Sequence, residues 1–254
     1  MESAAGEAIM AALLRLHPRR LQPLAVDLLL RQRRLSFLLL SPLHFSLALS
    51  HLRSLSLPSK TLLLARLLLR SLSLLLSPLQ PTPRLRLRDF DAAVLLLAMC
   101  DAYDPSIGAG DQGIDWRSII ADRLAGAALS TAGLGGGWWP VIASHVDSAA
   151  KCRRLAEGVR PLGGVVTAAP AAAMSLAAAE SGECAICGEE IASGGAMPCG
   201  HSFHWGCILQ WLRMRNTCPC CRFELPTDDV YGEIERVWRM GIKISARGMF
   251  QVAS

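Results

Sequence analysis

Apolar and polar positions follow a helical period through much of the first half of the chain. The clearest stretch is Thr61–Leu76, where leucine covers most of the surface and the few polar positions recur every 3 or 4 residues. These polar residues, including the one just after the stretch, are Arg66, Arg70, Ser73 and Ser77. The pattern predicts a helix with a single polar stripe. A membrane span would need about 18 apolar residues without charge, and Arg66 and Arg70 interrupt every such window. The pattern therefore favours buried helices of a bundle.

Two other interpretations of this region stay open. Residues 1–88 are rich in Leu, Arg and Ser, and no Asp or Glu occurs between Asp27 and Asp89. Transit peptides have such a composition, although the start Met-Glu-Ser-Ala-Ala-Gly-Glu places two carboxylates where transit peptides avoid them. A leucine-faced basic helix such as Thr61–Leu76 could also lie on an anionic membrane surface. Peripheral membrane contact is therefore an alternative to a purely internal role.

Further helices are predicted along the whole chain. Pro42 after Ser41 marks a helix start, and Pro58-Ser59 marks the next one. Asp115 and Thr227 are placed to cap helices that follow them. The predicted helices are Leu43–Leu57, Thr61–Leu76, Asp89–Cys100, Trp116–Leu124, Trp138–Val159, Ala168–Ala179 and one after Thr227 with Val230, Ile234, Val237 and Trp238 on one face.

Six cysteines and two histidines are concentrated between positions 184 and 221. The intervening segments hold 2, 11, 1, 2, 2, 10 and 2 residues, so that eight ligands suffice for two tetrahedral sites. Thiolate sulfur and imidazole nitrogen suit Zn²⁺, and four protein ligands per ion leave no position for substrate, which indicates structural metal. The ligands are Cys184, Cys187, Cys199, His201, His204, Cys207, Cys218 and Cys221. Cys220 is a spare thiol, because only Cys218 with Cys221 gives the two-residue gap.

The order C-C-C-H-H-C-C-C resembles the RING-H2 finger of RING-type E3 ubiquitin ligases. The resemblance implies a cross-braced module in which the ligand pairs interleave around two zinc ions. One site would then be formed by Cys184, Cys187, His204 and Cys207, and the other by Cys199, His201, Cys218 and Cys221. Other zinc modules fit less well: a PHD finger has one histidine, and a C2H2 finger lacks the second cysteine pair. Cysteines scattered through an ordinary core would not fall in this register.

The resemblance also implies a surface for the ubiquitin-conjugating enzyme (E2). Ile186 lies inside the first cysteine pair, Trp211 lies four residues after Cys207, and Pro219 follows Cys218. These are the places where RING ligases contact the E2 through an apolar groove. Arg222 follows the last ligand, where the family has its linchpin arginine. The alternative for Ile186 and Trp211 is packing in a small core, but Phe203 and Ile208 are better candidates for that core.

The segment Gly188–Pro198 departs from the family pattern. It is about three residues shorter than in most RING-H2 fingers, and we expect Ser193-Gly194-Gly195 within it to be flexible. Zinc ligation should survive the shortening, but E2 contacts from this loop are in question.

Charge and cysteine usage narrow the classes of function. Residues 1–88 carry 13 Lys/Arg against 3 Asp/Glu, whereas the whole chain has a net charge of +5, so the remainder carries −5. A finger outside the basic region disfavours a nucleic-acid-binding zinc protein and predicts no nucleic-acid partner. Nine cysteines without a secretory signal indicate a reducing compartment.

The outer segments extend the resemblance to plant RING ligases associated with amyloplasts and shoot gravitropism. The segments are Ser41-Pro-Leu-His-Phe-Ser-Leu, Leu55-Ser-Leu-Pro-Ser-Lys-Thr61, Leu87-Arg-Asp-Phe-Asp-Ala-Ala-Val-Leu-Leu-Leu97 and Leu225-Pro-Thr-Asp-Asp-Val230. The resemblance implies a plastid location. Because ubiquitin and its E2 enzymes operate outside plastids, we expect a peripheral position on the cytosolic face.

We therefore expect a mainly α chain in three parts. Residues 1–179 form a helical Leu/Ala-rich region for targeting or substrate recognition, 180–225 the RING-H2 finger with a β-hairpin and a helix Trp205–Arg213, and 226–254 a C-terminal helix and tail. The implied function is transfer of ubiquitin from an E2 to a lysine of a protein substrate. The main alternative is a non-enzymatic zinc-finger adaptor or scaffold.

Overall fold

A computed structural model describes residues 2–76, 85–104, 113–132, 139–159 and 164–250. The chain forms two compact units. The first, here called the helical unit, comprises Met1–Arg160 and Val237–Ser254; the second, the cysteine-rich unit, comprises Pro161–Arg236. The predicted three-part division at residues 180 and 226 stays a prediction.

In the residues that the structure describes, the helical unit contains the predicted helices, but the helix predicted over Leu43–Leu57 ends at Ser54 and Leu57 begins the next one. Trp138, the predicted start of one helix, and Ser77 lie outside the described residues. The helices are α1 Glu2–Leu14, α2 Pro18–Leu40, α3 Pro42–Ser54, α4 Leu57–Leu76, α5 Leu87–Ala102, α6 Trp116–Ala132 and α7 Trp139–Val159.

Helix starts in this unit lie at the sequence signals, but two of the three side-chain caps differ from those expected. Asp115 Oδ1 accepts a hydrogen bond from the backbone N–H of Ser118 at 3.3 Å, which confirms the predicted cap of α6. At the start of α4, Ser56 rather than Ser59 supplies the oxygen, because Ser56 Oγ accepts from the Ser59 N–H at 3.4 Å. Ser41 precedes α3, but its hydroxyl lies 2.6 Å from His44 Nδ1 instead of capping the backbone.

The leucines of α4 form part of the core of the helical unit. Leu64, Leu67 and Leu68 are almost completely buried, which confirms the predicted bundle. On the polar stripe, Arg66 is exposed, whereas Arg70 Nη2 lies 3.3 Å from Asp27 Oδ1 on α2. Because its apolar face is packed against protein, α4 is not available to lie on a membrane, and that interpretation of Thr61–Leu76 was wrong.

The described helices were compared with the length and apolar character that a membrane span requires. Among them, no single helix has both the length and the apolar character to cross a bilayer. One pair, α2 with α3, meets the requirement of length and composition together, but the two helices are bent by 106°.

The cysteine-rich unit contains a three-stranded antiparallel sheet of order β1-β2-β3. Its elements are α8 Pro170–Met174, β1 Ala177–Ala179, β2 Gly194–Ala196, β3 Ser202–His204, α9 Trp205–Leu212 and the start of α10 Val230–Phe250. The hairpin β2-β3 and α9 were predicted. The predicted helix Ala168–Ala179 was wrong apart from the short α8, because its last residues pair with β2 instead, with Ala178 opposite Gly195.

The two glycines of β2 serve close packing rather than flexibility. A Cβ on Gly194 would lie 2.1 Å from the carbonyl oxygen of Phe203, and one on Gly195 would lie 2.7 Å from the Trp205 ring. Both glycines are buried in the central strand. The expectation that this segment is flexible was therefore wrong.

The residues before β1 are an integral part of this unit. The N–H groups of Ala168 and Ala169 donate to the carbonyl oxygens of Leu212 (3.1 Å) and Pro226 (2.8 Å). In the opposite sense, the Asn216 N–H donates to the carbonyl oxygen of Val166 at 3.0 Å. Ala168 and Leu176 share an apolar core with the residues around the metal ligands.

Helix α10 begins with a set of side-chain caps. Asp229 Oδ1 accepts from the Tyr231 N–H at 3.1 Å, and Thr227 Oγ1 accepts from the Asp229 N–H at 3.2 Å. The predicted cap Thr227 thus acts just before the helix, and Asp229 takes the capping position. Glu233 accepts from the Thr227 N–H at 3.1 Å and binds Arg236, so its buried carboxylate is fully engaged.

Candidate metal centre

The eight predicted ligands come together in two groups of four. Cys184, Cys187, His204 and Cys207 form one group, and Cys199, His201, Cys218 and Cys221 form the other. Within each group every ligand atom lies within 4.8 Å of the others. The pairs interleave as the family resemblance implied, and Cys220 is exposed outside both groups. Sulfur and imidazole nitrogen in sets of four fit Zn²⁺ with no position left open.

Two similar turns carry the first and last cysteine pairs. In the first, the Gly188 N–H donates to the Cys184 carbonyl at 2.7 Å, and Cys184 N–H donates to the Glu189 carbonyl at 2.9 Å. In the second, Arg222 N–H donates to the Cys218 carbonyl at 3.0 Å, and Cys218 N–H donates to the Phe223 carbonyl at 2.8 Å. The same pattern of backbone hydrogen bonds therefore fixes the conformation of both turns and the direction in which their cysteine side chains point.

The fifth residue of each turn has a left-handed backbone. Gly188 has φ of 74° and Arg222 has φ of 59°, and in the described residues Arg222 alone among the non-glycine residues has a positive φ. Glycine adopts this conformation at little cost, whereas a side chain raises its free energy by roughly 1–2 kcal/mol. Arginine thus occupies a position that the equivalent turn gives to glycine.

Backbone donors favour the thiolate form at Cys184. Removal of its sulfur from water opposes ionisation, but hydrogen bonds from the backbone of His204, Cys187 and Ile186 outweigh this effect and lower the pKa of Cys184 to about 6. The thiolate is the form that binds metal. The opposite holds at Cys199, where removal from water and then the thiols of Cys221 and Cys218 act against ionisation and bring the pKa to about 11. A bound cation would offset such crowding of thiolates.

The ring of His204 is oriented by a contact outside the ligand group. Its Nδ1 lies 3.3 Å from Cys187 Sγ, and its Nε2 lies 3.1 Å from the carbonyl oxygen of Glu190. A neutral histidine that binds zinc through Nδ1 carries its proton on Nε2, which then donates to that carbonyl. Sequence reasoning missed this acceptor, because a backbone carbonyl leaves no signature in side-chain spacing.

A small apolar core lies beneath the ligands. Phe203 and Ile208 are completely buried, as predicted, together with Cys184. Ile191, Met197 and Leu212 also belong to this core and were not singled out from the sequence. These side chains hold β3 and α9, from which His204 and Cys207 project, against the rest of the unit.

The residues predicted to face the E2 are at least partly accessible. Ile186 is 40% exposed, and Pro219 and Trp211 are half-buried. The indole Nε1 of Trp211 donates to the carbonyl oxygen of Thr217 at 2.7 Å, which fixes the ring on α9. Arg222 is exposed. Their role in binding stays a prediction.

The geometry and the family comparison define one class of module. The Ring finger domain family matches residues 182–222, a range that contains all eight ligands. The cysteine-rich unit is therefore built around a RING-type zinc finger with two sites for zinc.

Similarity over the whole chain defines the family more closely. The "E3 ubiquitin-protein ligase SGR9, amyloplastic" of Arabidopsis thaliana is 38% identical over 96% of this chain and 98% of its own length. The chain belongs to the RING-type E3 ubiquitin ligases, as its resemblance indicated. The "E3 ubiquitin-protein ligase SIRP1" of Oryza sativa subsp. japonica is 31% identical over 55% of this chain and 42% of its own. The RNF181 homolog of Drosophila melanogaster, another E3 ubiquitin-protein ligase, is 50% identical over 21% and 40%. No solved structure matches the chain significantly.

Proposed function

We propose that the zinc-held module recruits a ubiquitin-charged E2 and promotes transfer of ubiquitin to lysines of a protein substrate. The observation that carries this proposal is the backbone of Arg222. This exposed arginine has the left-handed conformation that Gly188 adopts at the equivalent position of the first cysteine turn. An unfavourable backbone conformation at an exposed charged residue favours a role in function over one in stability. Family membership supports the same activity.

The E2 would contact a small apolar surface of the RING. Ile186 is accessible in the first cysteine turn, two residues after Cys184, and Pro219 lies in the last turn, directly after Cys218. Trp211 offers a ring already fixed by its bond to Thr217, so less conformational entropy is lost on binding. We propose that these three side chains form the E2 contact.

The chemical step needs no nucleophile from this chain. The substrate lysine attacks the thioester carbon, the bond to the E2 cysteine sulfur breaks, and ubiquitin is released onto the lysine as an amide. Arg222 would donate hydrogen bonds to both E2 and ubiquitin and so hold the thioester in the orientation for attack. The contribution is orientation and preorganised hydrogen bonding. Zinc, when bound, serves only to hold the fold.

Autoubiquitination with a panel of E2 enzymes tests the proposal. We expect the zinc-loaded wild type to form ubiquitin conjugates with at least one E2, and Ile186→Ala to weaken that E2's binding. Met214→Ala is the matched control, because Met214 is also exposed in this unit but outside the proposed surface. Activity equal in both variants would contradict the assignment of Ile186. Inactivity of the wild type with every E2 would favour the adaptor alternative.

We also propose a plastid location for this chain. The Arabidopsis relative is named amyloplastic, and it aligns with nearly the whole of this chain. Since E2 and ubiquitin operate in the cytosol, the RING would face the cytosol from the plastid surface, with a role in gravitropism. Protease treatment of intact plastids should digest a RING epitope. Protection of the epitope together with a shortened N-terminus would show import instead.

A further inference from the structure

Helices α2 and α3 expose a row of large apolar side chains. Leu40, Leu43 and Leu47 are 82%, 67% and 61% exposed. The complete set, here called the α2–α3 apolar surface, is Val26, Leu29, Leu30, Phe37, Leu40, Leu43 and Leu47. Single exposed leucines are ordinary, but several large apolar side chains on one exposed helix face indicate an interaction site.

The helical spacing places the members of this surface on one face of α2, where exposed Arg33 lies between Leu30 and Phe37. On α2 its members lie 3, 4 or 7 residues from a neighbour in the set, so they share one face of the helix. The face passes the corner at Ser41, where the rings of Phe37 and His44 are 4.9 Å apart. On α3, Leu43 and Leu47 extend it by one turn.

The opposite face of α2 already serves the core. Leu24, Leu28 and Leu38 are buried, whereas Leu30 and Leu40 point away from that packing. A helix that is apolar on both sides has more apolar surface than the fold requires. The outer face therefore has a use other than packing in this unit.

The exposed charges on α2 and α3 are positive, whereas Arg34, which lies over the Phe37 ring, is paired with Asp91 of α5. Arg19, Arg20, Arg33 and Arg53 are exposed on α2 and α3. Asp27, the only acidic residue in the sequences of these two helices, is buried and engaged by Arg31 and Arg70. Exposed leucines with Arg33 among them and further arginines on α2 and α3 match an anionic lipid surface, in which apolar burial and arginine attraction act together.

We infer that the α2–α3 apolar surface docks on an anionic lipid bilayer, with its leucines at the boundary between headgroups and acyl chains. The arginines contact the headgroups, and the helices lie along the bilayer. This inference deepens the proposed plastid attachment and is independent of ubiquitin transfer. It also moves the membrane contact from α4, whose leucines are buried, to α2 and α3.

Co-sedimentation of the full zinc-loaded chain with vesicles tests the inference. The probes are vesicles of phosphatidylcholine alone and vesicles with about 30% phosphatidylglycerol. We expect binding to the anionic vesicles, weaker binding to the neutral ones, and a decline as salt rises from about 0.1 to about 0.5 M. Absence of binding to the anionic vesicles would overturn the inference.

Two matched double variants assign the binding to this surface. Leu40→Asp/Leu43→Asp should reduce vesicle affinity by at least about tenfold, because two leucines leave the lipid boundary. Leu87→Asp/Leu129→Asp changes the net charge equally at leucines that are 67% and 76% exposed elsewhere, and should alter affinity by less than about twofold. Equal losses in both variants would overturn the assignment.

A third variant and a measurement of mass complete the test. Arg19→Gln/Arg20→Gln/Arg33→Gln keeps every leucine and should lower binding to anionic vesicles only.

Light scattering reports whether the surface instead binds a second copy of the chain. If the wild type binds no vesicles but forms a dimer that Leu40→Asp/Leu43→Asp dissociates, the partner of this surface is a second protomer and not lipid. That result would overturn the inference. Plastid protease protection is a separate experiment, so failure here and failure of the proposed location are distinguishable.

Discussion

At the scale of single residues, Arg222 combines an unfavourable backbone conformation with an exposed charged side chain. Its φ of 59° is the conformation that Gly188 adopts in the equivalent turn. The side chain therefore lowers stability at the position where it is proposed to assist catalysis. Such a conflict lets stability and activity be varied in opposite directions by one substitution.

Replacement of Arg222 by alanine should slow discharge of the E2 thioester about ten- to a hundred-fold, since one charge-assisted hydrogen bond is lost. Zinc content should be unchanged. Arg222→Gly should be equally slow yet more stable than Arg222→Ala by about 1 kcal/mol, because glycine accepts the left-handed backbone. Single-turnover discharge at saturating E2 and urea unfolding measure the two effects. Discharge at the wild-type rate in either variant would contradict the role of Arg222.

His145 on α7 is a buried histidine in the helical unit. Burial, and then the charge of Arg31, lower the pKa of His145 to about 3. In the described part of the chain its Nε2 has no hydrogen-bond partner. His145 is therefore neutral in the folded chain.

Protonation of His145 should destabilise the fold as pH falls below about 6.5, its unfolded pKa. The unfolded chain then binds the proton and the folded chain does not, so the destabilisation grows until pH reaches the folded value of about 3. At pH 5 the loss should be about 2 kcal/mol. The difference between the pH profiles of wild type and His145→Gln in urea unfolding isolates this effect from zinc release. Parallel profiles would contradict it.

Prediction from the sequence succeeded for residues whose chemistry requires a fixed separation along the chain. The structure brings all eight predicted ligands into two groups of four and leaves Cys220 outside them, because zinc coordination restricts the separations between ligands. The left-handed turn at Arg222 and the Glu190 carbonyl behind His204 were not foreseen, because backbone geometry at those places has no marker in residue type.

At the scale of elements, the central strand β2 depends on the absence of two Cβ atoms. Gly194 faces a backbone carbonyl, which cannot move without breaking the sheet, whereas Gly195 faces the ring of Trp205. A side chain at Gly194 therefore meets the harder obstacle.

Substitution Gly194→Ala should destabilise the zinc-loaded unit by about 2–4 kcal/mol through overpacking. Gly195→Ala should cost less, because the Trp205 ring can shift. Gly206→Ala is the control: a Cβ there meets nothing within 4 Å, and in α9 it should stabilise by up to about 1 kcal/mol. Urea unfolding monitored by Trp fluorescence orders the three variants. A Gly194→Ala variant as stable as Gly206→Ala would contradict the packing argument.

The segment before the finger shows why local propensity failed for one element. Alanine favours helix, so Ala168–Ala179 was predicted helical. In the structure the edge of β2 offers unpaired backbone groups, and Ala177–Ala179 pairs with them. Pairing with a distant partner overrides a preference of a few tenths of a kcal/mol per residue. The helices of the helical unit were predictable because their leucine periodicity is long and regular.

At the scale of the whole molecule, removal of metal should affect the two units differently. The cysteine-rich unit has a small core, so metal binding supplies much of its folding free energy. A strong chelator should release two zinc ions per chain and unfold this unit, while most of the helical circular dichroism persists. His204→Ala should abolish ligase activity by the same route. Elemental analysis that finds one zinc or none in active protein would contradict this prediction.

The helical unit is discontinuous in the sequence, and this has a consequence for biosynthesis. Val237 and Trp238 are buried within it, and Arg153 of α7 stacks 5.2 Å from the Trp238 ring. The ribosome therefore releases every residue of the cysteine-rich unit before it releases the last part of the helical one. Although the helices are translated first, their unit becomes complete last. Until then Arg153 on α7 lacks the Trp238 ring that it contacts. A chain stalled near residue 236 would have a complete zinc module and an unfinished helical unit.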